Sequence, residues 1–391
     1  METCKTFQMP PTILYQQHSF EQIGEKAILL GKKALIISDQ IMHKLGYVEE
    51  CQQKLSSHSV ESAIFLGVAS EPNDQYVDEA LQLYTDEKCD LIISLGGGSC
   101  IDTAKAVAVV ATNGGNIEDY VGMKKVAQIA PVPHIAIPTT AGTGSEATDV
   151  TVITNSATKV KMMIKQPAFM PNVAIVDPLL TLSSPQKVTA ATGVDALSHA
   201  IEAYISKKAH PMTDIMALSA IQLISKNLYR AFTDGQDIEA REGMSLAALQ
   251  AGSAFSNASV CLVHGMSRPI GALFNVPHGF SNAMLLPAVL EYSKDSCIDR
   301  LADIGRIFSS DAAQLSDEEA AEVAVQSVKD LCKALDIPNL ETWGIPREEF
   351  VNALEKMSKD AVNSGSPGNN PKVPSEDKIA DLYQVCYEYQ F

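Results

Sequence analysis

A carboxylate and an imidazole stand four residues apart in a helical stretch of the chain. Asp195 and His199 lie in the string GVDALSHAIEAY, and this spacing places two side chains side by side on one helix face. His264 and His278 follow later, each directly before a glycine. One carboxylate and three imidazoles are a suitable ligand set for Fe²⁺ or Zn²⁺. A single histidine is more often a packed or surface residue, so the predicted metal site depends on all four residues together.

Three consecutive glycines form a second candidate site. The segment Gly96–Ser99 follows the apolar run LIISL and precedes a helix that is predicted to begin near Asp102. Without Cβ atoms, backbone N–H groups can approach a phosphate closely, and the helix N-terminus adds partial positive charge. The segment matches neither a P-loop nor the usual G-x-G-x-x-G pattern. It is either a phosphate-binding turn or a tight turn without a ligand.

Two further features sit where strands are predicted to end. Asp39 follows the run ALIIS, where an acid can accept hydrogen bonds from the ribose of NAD and repel the 2′-phosphate of NADP. The usual acid comes after the glycine turn, so Asp39 is either an ordinary strand-end residue or part of a nucleotide domain with another strand order. The polar turn Pro138–Ser145 suits ribose or nicotinamide contacts, with a loop of no special role as the alternative.

The first half of the chain alternates short apolar runs with helical patterns, Asp74–Lys88 and Asp102–Thr112 among them. Continuous apolar strands are typical of parallel sheets that are covered on both faces. We therefore predict a doubly wound, Rossmann-like α/β dinucleotide-binding domain over residues 1–183. The predicted strands are Ala34–Ser38, Leu91–Leu95, Ile135–Ile137 and Val173–Val176.

The second half, residues 184–391, is predicted to be all helical. Strand-type runs become rare after the helix-start signal Ser183–Pro185. Ser316 and Glu319 have the spacing of a capping box. The predicted helices are Ser184–Ser206, Pro211–Phe232, Ile238–Asn257 and Ser316–Leu335.

The charge and hydropathy of the chain indicate which kinds of molecule it can bind. The 391 residues carry 47 acidic and 30 basic side chains, a formal charge of −17, and this field repels nucleic acids and anionic membranes. No apolar run has the length of a membrane span, and the N-terminus METCKTFQMPPT has no signal pattern. The eight cysteines include no C-x-x-C pair, as expected for reduced thiols. We expect a cytoplasmic protein.

Several strings of the sequence resemble the iron-containing, group III alcohol dehydrogenases. The resemblance runs in order from about Ala34 to the late loop NNPKVP, so it covers nearly the whole chain. The strings are GGGSCIDTAK, IPTTAGTGSEAT, AIVDP, GVDALSHAIEAY, AGSAFSNA and HGMSRPIGALFNVPHG.

The resemblance implies a dehydroquinate synthase-like architecture, with the active site in a cleft between an α/β domain and a helical domain. It implies Fe²⁺, or else Zn²⁺, at Asp195, His199, His264 and His278, NAD as cofactor, and a homodimer or larger homo-oligomer. It also implies a set of cofactor contacts: Asp39, Asn73, Gly96, Gly97, Gly98, Ser99, Asp102, Thr139, Thr140, Gly142 and Lys161.

The implied reaction is hydride transfer between a small alcohol and NAD, or in reverse from NADH to an aldehyde. The metal would polarise the substrate oxygen. One alternative is a zinc-dependent relative, either glycerol-dehydrogenase-like or dehydroquinate-synthase-like. An alternative from another class is a non-catalytic nucleotide-binding scaffold.

One residue departs from the pattern of the family. Many members carry a histidine four residues after the third metal ligand, where it can relay a proton, but this chain has Arg268. An arginine cannot release and retake a proton near pH 7. We expect Arg268 to contact a polar or anionic group of the substrate, with a structural salt bridge as the alternative.

Overall fold

The computed structural model describes residues 4–391. The first three residues of the N-terminal string METCKTFQMPPT lie outside this range. The chain divides into two compact units. One unit is Gln8–Ser184, and the other contains Pro185–Phe391 together with the N-terminal segment that ends at Phe7.

The first unit contains a six-stranded sheet in which every pair of neighbouring strands is parallel. The strands are β1 (Thr12–Tyr15), β2 (Lys33–Ile37), β3 (Glu61–Phe65), β4 (Leu91–Gly96), β5 (His134–Pro138), β6 (Val150–Asn155), β7 (Val160–Lys165) and β8 (Val173–Val176). The sheet order is β1-β8-β5-β4-β2-β3, and β6 and β7 form a separate antiparallel hairpin.

The central strands β4 and β5 are buried throughout because helices cover both faces of this sheet. Along β2, Leu35 and Ile37 join one core cluster, whereas Ala34 and Ile36 join the other. Alternate side chains of a strand point to opposite faces, so each face has its own core. The helices are α1 (Ile23–Ala27), α2 (Gln40–Lys44), α3 (Tyr47–Ser56), α4 (Asp74–Asp86) and α5 (Gly98–Asn113).

The predicted parallel α/β architecture is confirmed, but the start of α5 differs from the prediction. The helix begins at Gly98, four residues before the predicted start at Asp102, and Gly97 is its N-cap. The first helical turn has no intrahelical N–H bonds to lose, so glycine is tolerated there. The glycine segment is therefore the helix N-terminus itself and not a loop that leads to it.

The second unit is helical, as predicted, and the capping box of Ser316 and Glu319 is present. Within residues 4–391 no single helix has both the length and the hydropathy to cross a bilayer, and Ile238–Ala258 and Leu262–Phe274 reach these values only together, as a pair bent by 104°. The helices are α6 (Gln186–Ile205), α7 (Pro211–Thr233), α8 (Ile238–Ala258), α9 (Leu262–Phe274), α10 (His278–Ser293), α11 (Ile298–Phe308), α12 (Asp317–Ala334), α13 (Leu340–Trp343), α14 (Arg347–Asn363) and α15 (Glu376–Tyr387).

Candidate metal centre and cofactor turn

The structure brings together the four candidate metal ligands. Asp195 and His199 lie on α6, His264 lies on α9, and His278 is the first residue of α10. One ligand atom from each lies within 4.8 Å of the others. Asp195 Oδ1 is 3.9 Å from His199 Nδ1, 3.6 Å from His264 Nε2 and 3.9 Å from His278 Nε2. This group of three nitrogens and one oxygen fits a divalent ion such as Fe²⁺ or Zn²⁺.

The glycines that follow two of these histidines allow their helices to pack closely. A Cβ on Gly279 would lie 2.8 Å from the carbonyl oxygen of Ala191 on α6. A Cβ on Gly265 would lie 2.7 Å from the ring of Pro367. A larger residue would push α6 away at Gly279 and the segment of Pro367 away at Gly265, so each glycine keeps its neighbouring histidine in a closely packed position.

The charge on Asp195 is stabilised inside the helical unit. Burial alone would raise the pKa of this carboxyl, but His199, His278 and His264 outweigh burial and hold the pKa below its usual value. His199 is stacked between two rings, with centroids 4.3 Å from Phe255 and 4.4 Å from His264. The aspartate therefore stays ionised, and packing fixes the imidazole planes.

Two residues of the site were not identified from the sequence. Glu202 Oε2 accepts a hydrogen bond from His264 Nδ1 at 2.6 Å, and Asn282 Nδ2 donates one to Asp195 Oδ1 at 2.6 Å. Both positions carried a signal. Glu202 lies three residues after His199, and Asn282 lies four residues after His278, so each shares a helix face with a ligand.

Replacing Glu202 with glutamine should weaken cation binding about 10- to 100-fold. Glu202 keeps the proton of His264 on Nδ1, which leaves the Nε2 lone pair for a cation. Glutamine can present its amide N–H groups instead and stabilise the other tautomer. Calorimetric titration of the metal-free chain with Zn²⁺ measures this effect. The control is Glu239→Gln, a highly exposed carboxylate on α8, and equal affinities in both variants would contradict the prediction.

Arg268 lies one helical turn after His264 on α9. Burial lowers the pKa of its guanidinium to about 10, and the charge of Glu202 opposes this shift. The side chain therefore remains positive at pH 7. Its positive charge interacts with the carboxylate of Glu202, which orients His264. This interaction agrees both with a contact to a polar or anionic substrate group and with a structural salt bridge.

The glycine turn of the α/β unit packs closely against two other segments. Gly96 has a φ of +156°, and a Cβ there would lie 2.6 Å from Cys100 Sγ. A Cβ on Gly98 would lie 2.8 Å from Thr143 Cγ2, in the polar turn after β5. Ser99 is in the first turn of α5. The turn therefore presents the N-terminus of a 16-residue helix without side chains at its first positions, which fits a pyrophosphate.

Asp39 lies beside this turn. Its Oδ1 accepts hydrogen bonds from Ile41 N at 2.7 Å and Met42 N at 2.9 Å, so it caps α2. Its Oδ2 lies 3.8 Å from Cys100 Sγ. The second carboxylate oxygen is therefore on the side of the glycine turn, where an acid that binds ribose is expected.

Asp102 and Lys105 form a buried network under the polar turn. Asp102 Oδ1 accepts a hydrogen bond from Ser145 Oγ at 2.6 Å, and its Oδ2 accepts one from Val152 N at 2.9 Å. Burial raises the pKa of Asp102 and lowers that of Lys105 to about 8. Both oxygens of Asp102 are thus engaged inside the unit. Lys105 Nζ donates to three oxygens: Ser145 Oγ at 3.0 Å, Thr148 Oγ1 at 2.8 Å and Val150 O at 2.7 Å.

The other predicted cofactor residues fall into two groups. Near the glycine turn, Thr139 N donates to Gly96 O at 3.0 Å, a Cβ on Gly97 would lie 3.7 Å from Thr140 Oγ1, and Gly142 is buried in the same polar turn.

Asn73 and Lys161 form the second group, beside the hairpin. Both pair with Thr154 of β6, Asn73 through an isolated bridge and Lys161 through the register with β7. Asn73 Oδ1 also caps α4 by accepting from Tyr76 N at 3.0 Å. Lys161 Nζ lies 3.0 Å from Glu71 Oε2.

Comparison with known proteins agrees with the resemblance along the whole chain. Residues 10–178 match the family described as iron-containing alcohol dehydrogenase, and residues 189–387 match the C-terminal part of the Fe-containing alcohol dehydrogenase family. The chain is 39% identical to an NAD-dependent methanol dehydrogenase of Bacillus methanolicus, over 96% of this chain and 98% of the relative. It is 38% identical to a 1,3-propanediol dehydrogenase of Citrobacter freundii, over 97% and 98%.

The fold agrees as well. The crystal structure of a 1,3-propanediol oxidoreductase superposes with a TM-score of 0.95 at 37% identity, over 98% of this chain and 100% of that one. Both halves of the chain, the metal-ligand group and the sheet topology thus point to one assignment. The chain belongs to the iron-containing alcohol dehydrogenase family.

Proposed function

We propose that the protein is a metal-dependent, NAD(H)-linked alcohol dehydrogenase and aldehyde reductase that works as a homodimer or larger homo-oligomer. The observation that carries the proposal is the convergence of Asp195, His199, His264 and His278 within 4.8 Å. A non-catalytic scaffold would have no need for this buried ligand group. Family membership and the NAD-dependent methanol dehydrogenase among the relatives support the choice of cofactor.

Each part of the chain has a defined task in this reaction. When bound by these residues, Fe²⁺ in our proposal would polarise the substrate oxygen, and the nicotinamide of NAD(H) would supply the hydride chemistry. Asp195 supplies the negative charge that holds the cation, and Glu202 keeps the Nε2 lone pair of His264 available. The N–H groups at the start of α5 bind the pyrophosphate. Asp39 accepts hydrogen bonds from the adenosine ribose.

The substrates are proposed to be small primary alcohols and diols and the matching aldehydes. This choice follows the methanol and 1,3-propanediol relatives. The test is an anaerobic screen in both directions on protein reloaded with Fe²⁺, Zn²⁺ or Mn²⁺. We expect NADH consumption with short aldehydes. Tight NAD binding without turnover across the panel would overturn the proposal in favour of a scaffold.

Replacing Asp39 with asparagine should shift cofactor preference from NAD towards NADP. Asparagine keeps the acceptor that caps α2 but removes the charge that repels a 2′-phosphate. We expect the ratio of kcat/KM for NAD to that for NADP to fall about 10-fold, or about 1.4 kcal/mol. Steady-state kinetics with both cofactors measure it.

Asp90 provides the matched control for this substitution. Its Oδ1 also accepts two backbone hydrogen bonds, from Lys32 N and Lys33 N at 2.8 Å. It precedes β4, however, at the opposite end of the parallel strands from the glycine turn. Asp90→Asn should leave the cofactor ratio unchanged. A change of the same size in both variants would count against a ribose contact at Asp39.

Replacing Arg268 with alanine should raise KM for a carboxylated substrate more than for a neutral alcohol. We propose that the guanidinium, which is charged at pH 7, contacts an anionic group of the substrate. If Arg268 instead only stabilises Glu202, the variant will lose cation affinity and activity on both substrates equally. Kinetics on one hydroxy acid and one neutral alcohol of the same chain length separate the two roles.

A further inference from the structure

An ion pair joins the hairpin of the α/β unit to the segment that follows β3. Lys161 Nζ on β7 donates a hydrogen bond to Glu71 Oε2 at 3.0 Å. The side chain of Lys161 is only 6% exposed, whereas that of Glu71 is 44% exposed. A buried ammonium requires a partner of opposite charge. The carboxylate of Glu71 therefore compensates a positive charge that water scarcely reaches.

The backbone holds this lysine beside the end of β3 as well. Thr154 on β6 forms an isolated bridge with Asn73, and its N–H donates to Pro72 O at 2.8 Å. Thr154 is also the partner of Lys161 in the register of the hairpin. The location of the lysine is thus set by the strand pairing and does not depend on the ion pair alone.

Lys161 Nζ has hydrogen-bond donors to spare. An ammonium carries three N–H donors. Within residues 4–391, Glu71 supplies the one hydrogen bond that the structure records for this nitrogen. Two N–H groups of a side chain that is more than nine-tenths buried are therefore available to the oxygens of a ligand.

The ion pair is at the same edge of the sheet as the proposed adenosine site. β2 and β3 are neighbours and parallel, so the segments that follow them leave from one edge. Asp39, the proposed ribose ligand, follows β2, and Glu71 follows β3. Burial raises the pKa of Asp102 on α5, and the charge of Glu71 adds to this rise. The field of Glu71 thus also reaches the helix that begins at the glycine turn.

The net charge of the ion pair affects which cofactor binds. NADP differs from NAD by a phosphate on the 2′ oxygen of the adenosine ribose. An ammonium without a counter-charge would form strong, charge-assisted hydrogen bonds with this group. With Glu71 in place the pair has no net charge, and Lys161 favours the additional phosphate much less.

We propose that Glu71 is a second determinant of cofactor choice, which acts by cancelling the charge of Lys161. Asp39 repels the 2′-phosphate at the ribose, and Glu71 removes a positive charge that would otherwise offset this repulsion. Glu71 acts through Lys161 and not by contact with the cofactor. This inference rests on the NAD site of the proposed function, but on neither the metal nor the substrate.

The test is equilibrium titration of the full-length, metal-loaded chain with NADH and with NADPH, followed by the fluorescence of the dihydronicotinamide that both contain. Glu71→Gln keeps the size of the side chain and an oxygen acceptor for Lys161 but removes the negative charge. We expect the ratio of the Kd for NADH to the Kd for NADPH to rise about 10-fold. In the double variant with Lys161→Met the positive charge is absent as well, and the ratio should return to within about two-fold of its natural value.

Glu87→Gln is the matched control. Glu87 is 45% exposed and pairs with Lys33 at 2.7 Å, but Lys33 is the first residue of β2, at the opposite edge of the sheet. This variant should leave the ratio of the two Kd values unchanged.

Two results would overturn the proposal. An equal loss of affinity for both cofactors in Glu71→Gln would mean that the ion pair only stabilises the hairpin. A higher ratio that persists in the double variant would mean that Glu71 acts on the phosphate directly and not through Lys161. The titrations contain no substrate, so a chain that binds NADH without turning over an alcohol would contradict the proposed function and leave this test intact.

Discussion

Replacing Asp195 with asparagine should abolish both cation retention and alcohol oxidation. Asp195 is the one carboxylate in the four-residue ligand group, and asparagine keeps its shape but removes its charge. Four-ligand sites bind Zn²⁺ with about 10–16 kcal/mol. One quarter of this is about 2.5–4 kcal/mol, a loss on the order of 10²- to 10³-fold in affinity. Metal content after dialysis and kcat/KM for a short alcohol measure the two effects.

The control for this substitution is Asp214→Asn. Asp214 lies on α7, pairs with Arg300 at 2.8 Å and is outside the ligand group. It should retain the cation. NAD binding should survive in both variants, because the glycine turn belongs to the other compact unit. A full complement of metal in the Asp195→Asn chain would show that the aspartate is not a ligand.

The four ligands were predictable because residue type and helical spacing sufficed. Asp195 and His199 required only the rule that residues four apart are neighbours on a helix. The roles of Glu202 and Asn282 could not be predicted from residue type and spacing alone. Carboxylates and amides are common on helices, and their roles depend on which side chains face them from α9 and α6. That information lies in the packing of helices and not in the local sequence.

The same distinction between local sequence and packing applies to the glycine turn. Its location after a buried strand was predictable, and so was the nearby acid Asp39. The orientation of Asp102 was not. It is the fifth residue of α5, and its carboxylate bonds Ser145 and Val152 inside the unit. A four-residue error in the start of the helix, about one turn, thus places Asp102 at the helix N-terminus when it lies one turn further along.

The sheet was predicted at its centre and not at its edges. Interior strands such as β4 are buried on both faces and read as continuous apolar runs. The edge strands β1 and β3 are partly exposed, so their patterns are mixed. The hairpin of β6 and β7 alternates buried and partly exposed positions, so it has no continuous apolar run that would predict it. The helices α9 and α10 were not predicted individually either, because both contain glycine and proline.

Replacing Lys105 with methionine should destabilise the α/β unit by about 1–3 kcal/mol, because Ser145 Oγ, Thr148 Oγ1 and Val150 O lose their buried donor. The positive charge that lowers the pKa of Asp102 would be lost as well. Ser145 and Thr148 form the end of the polar turn that packs on the glycine turn, so we expect weaker NAD binding as well. Urea unfolding followed by circular dichroism and NAD titration measure the two effects.

Two comparisons separate the buried network from a general loss of charge. Lys33→Met removes a partly exposed lysine of the same unit whose partner Glu87, at 2.7 Å, is also exposed, so the loss of stability should be much smaller than in Lys105→Met. In the double variant Asp102→Asn with Lys105→Met, the carboxylate that the charge of Lys105 stabilises is removed as well, and we expect a favourable coupling of about 0.5–3 kcal/mol. Strict additivity would contradict the network. Trp343 is the single tryptophan and lies in the helical unit, so its fluorescence reports whether the loss is confined to the α/β unit.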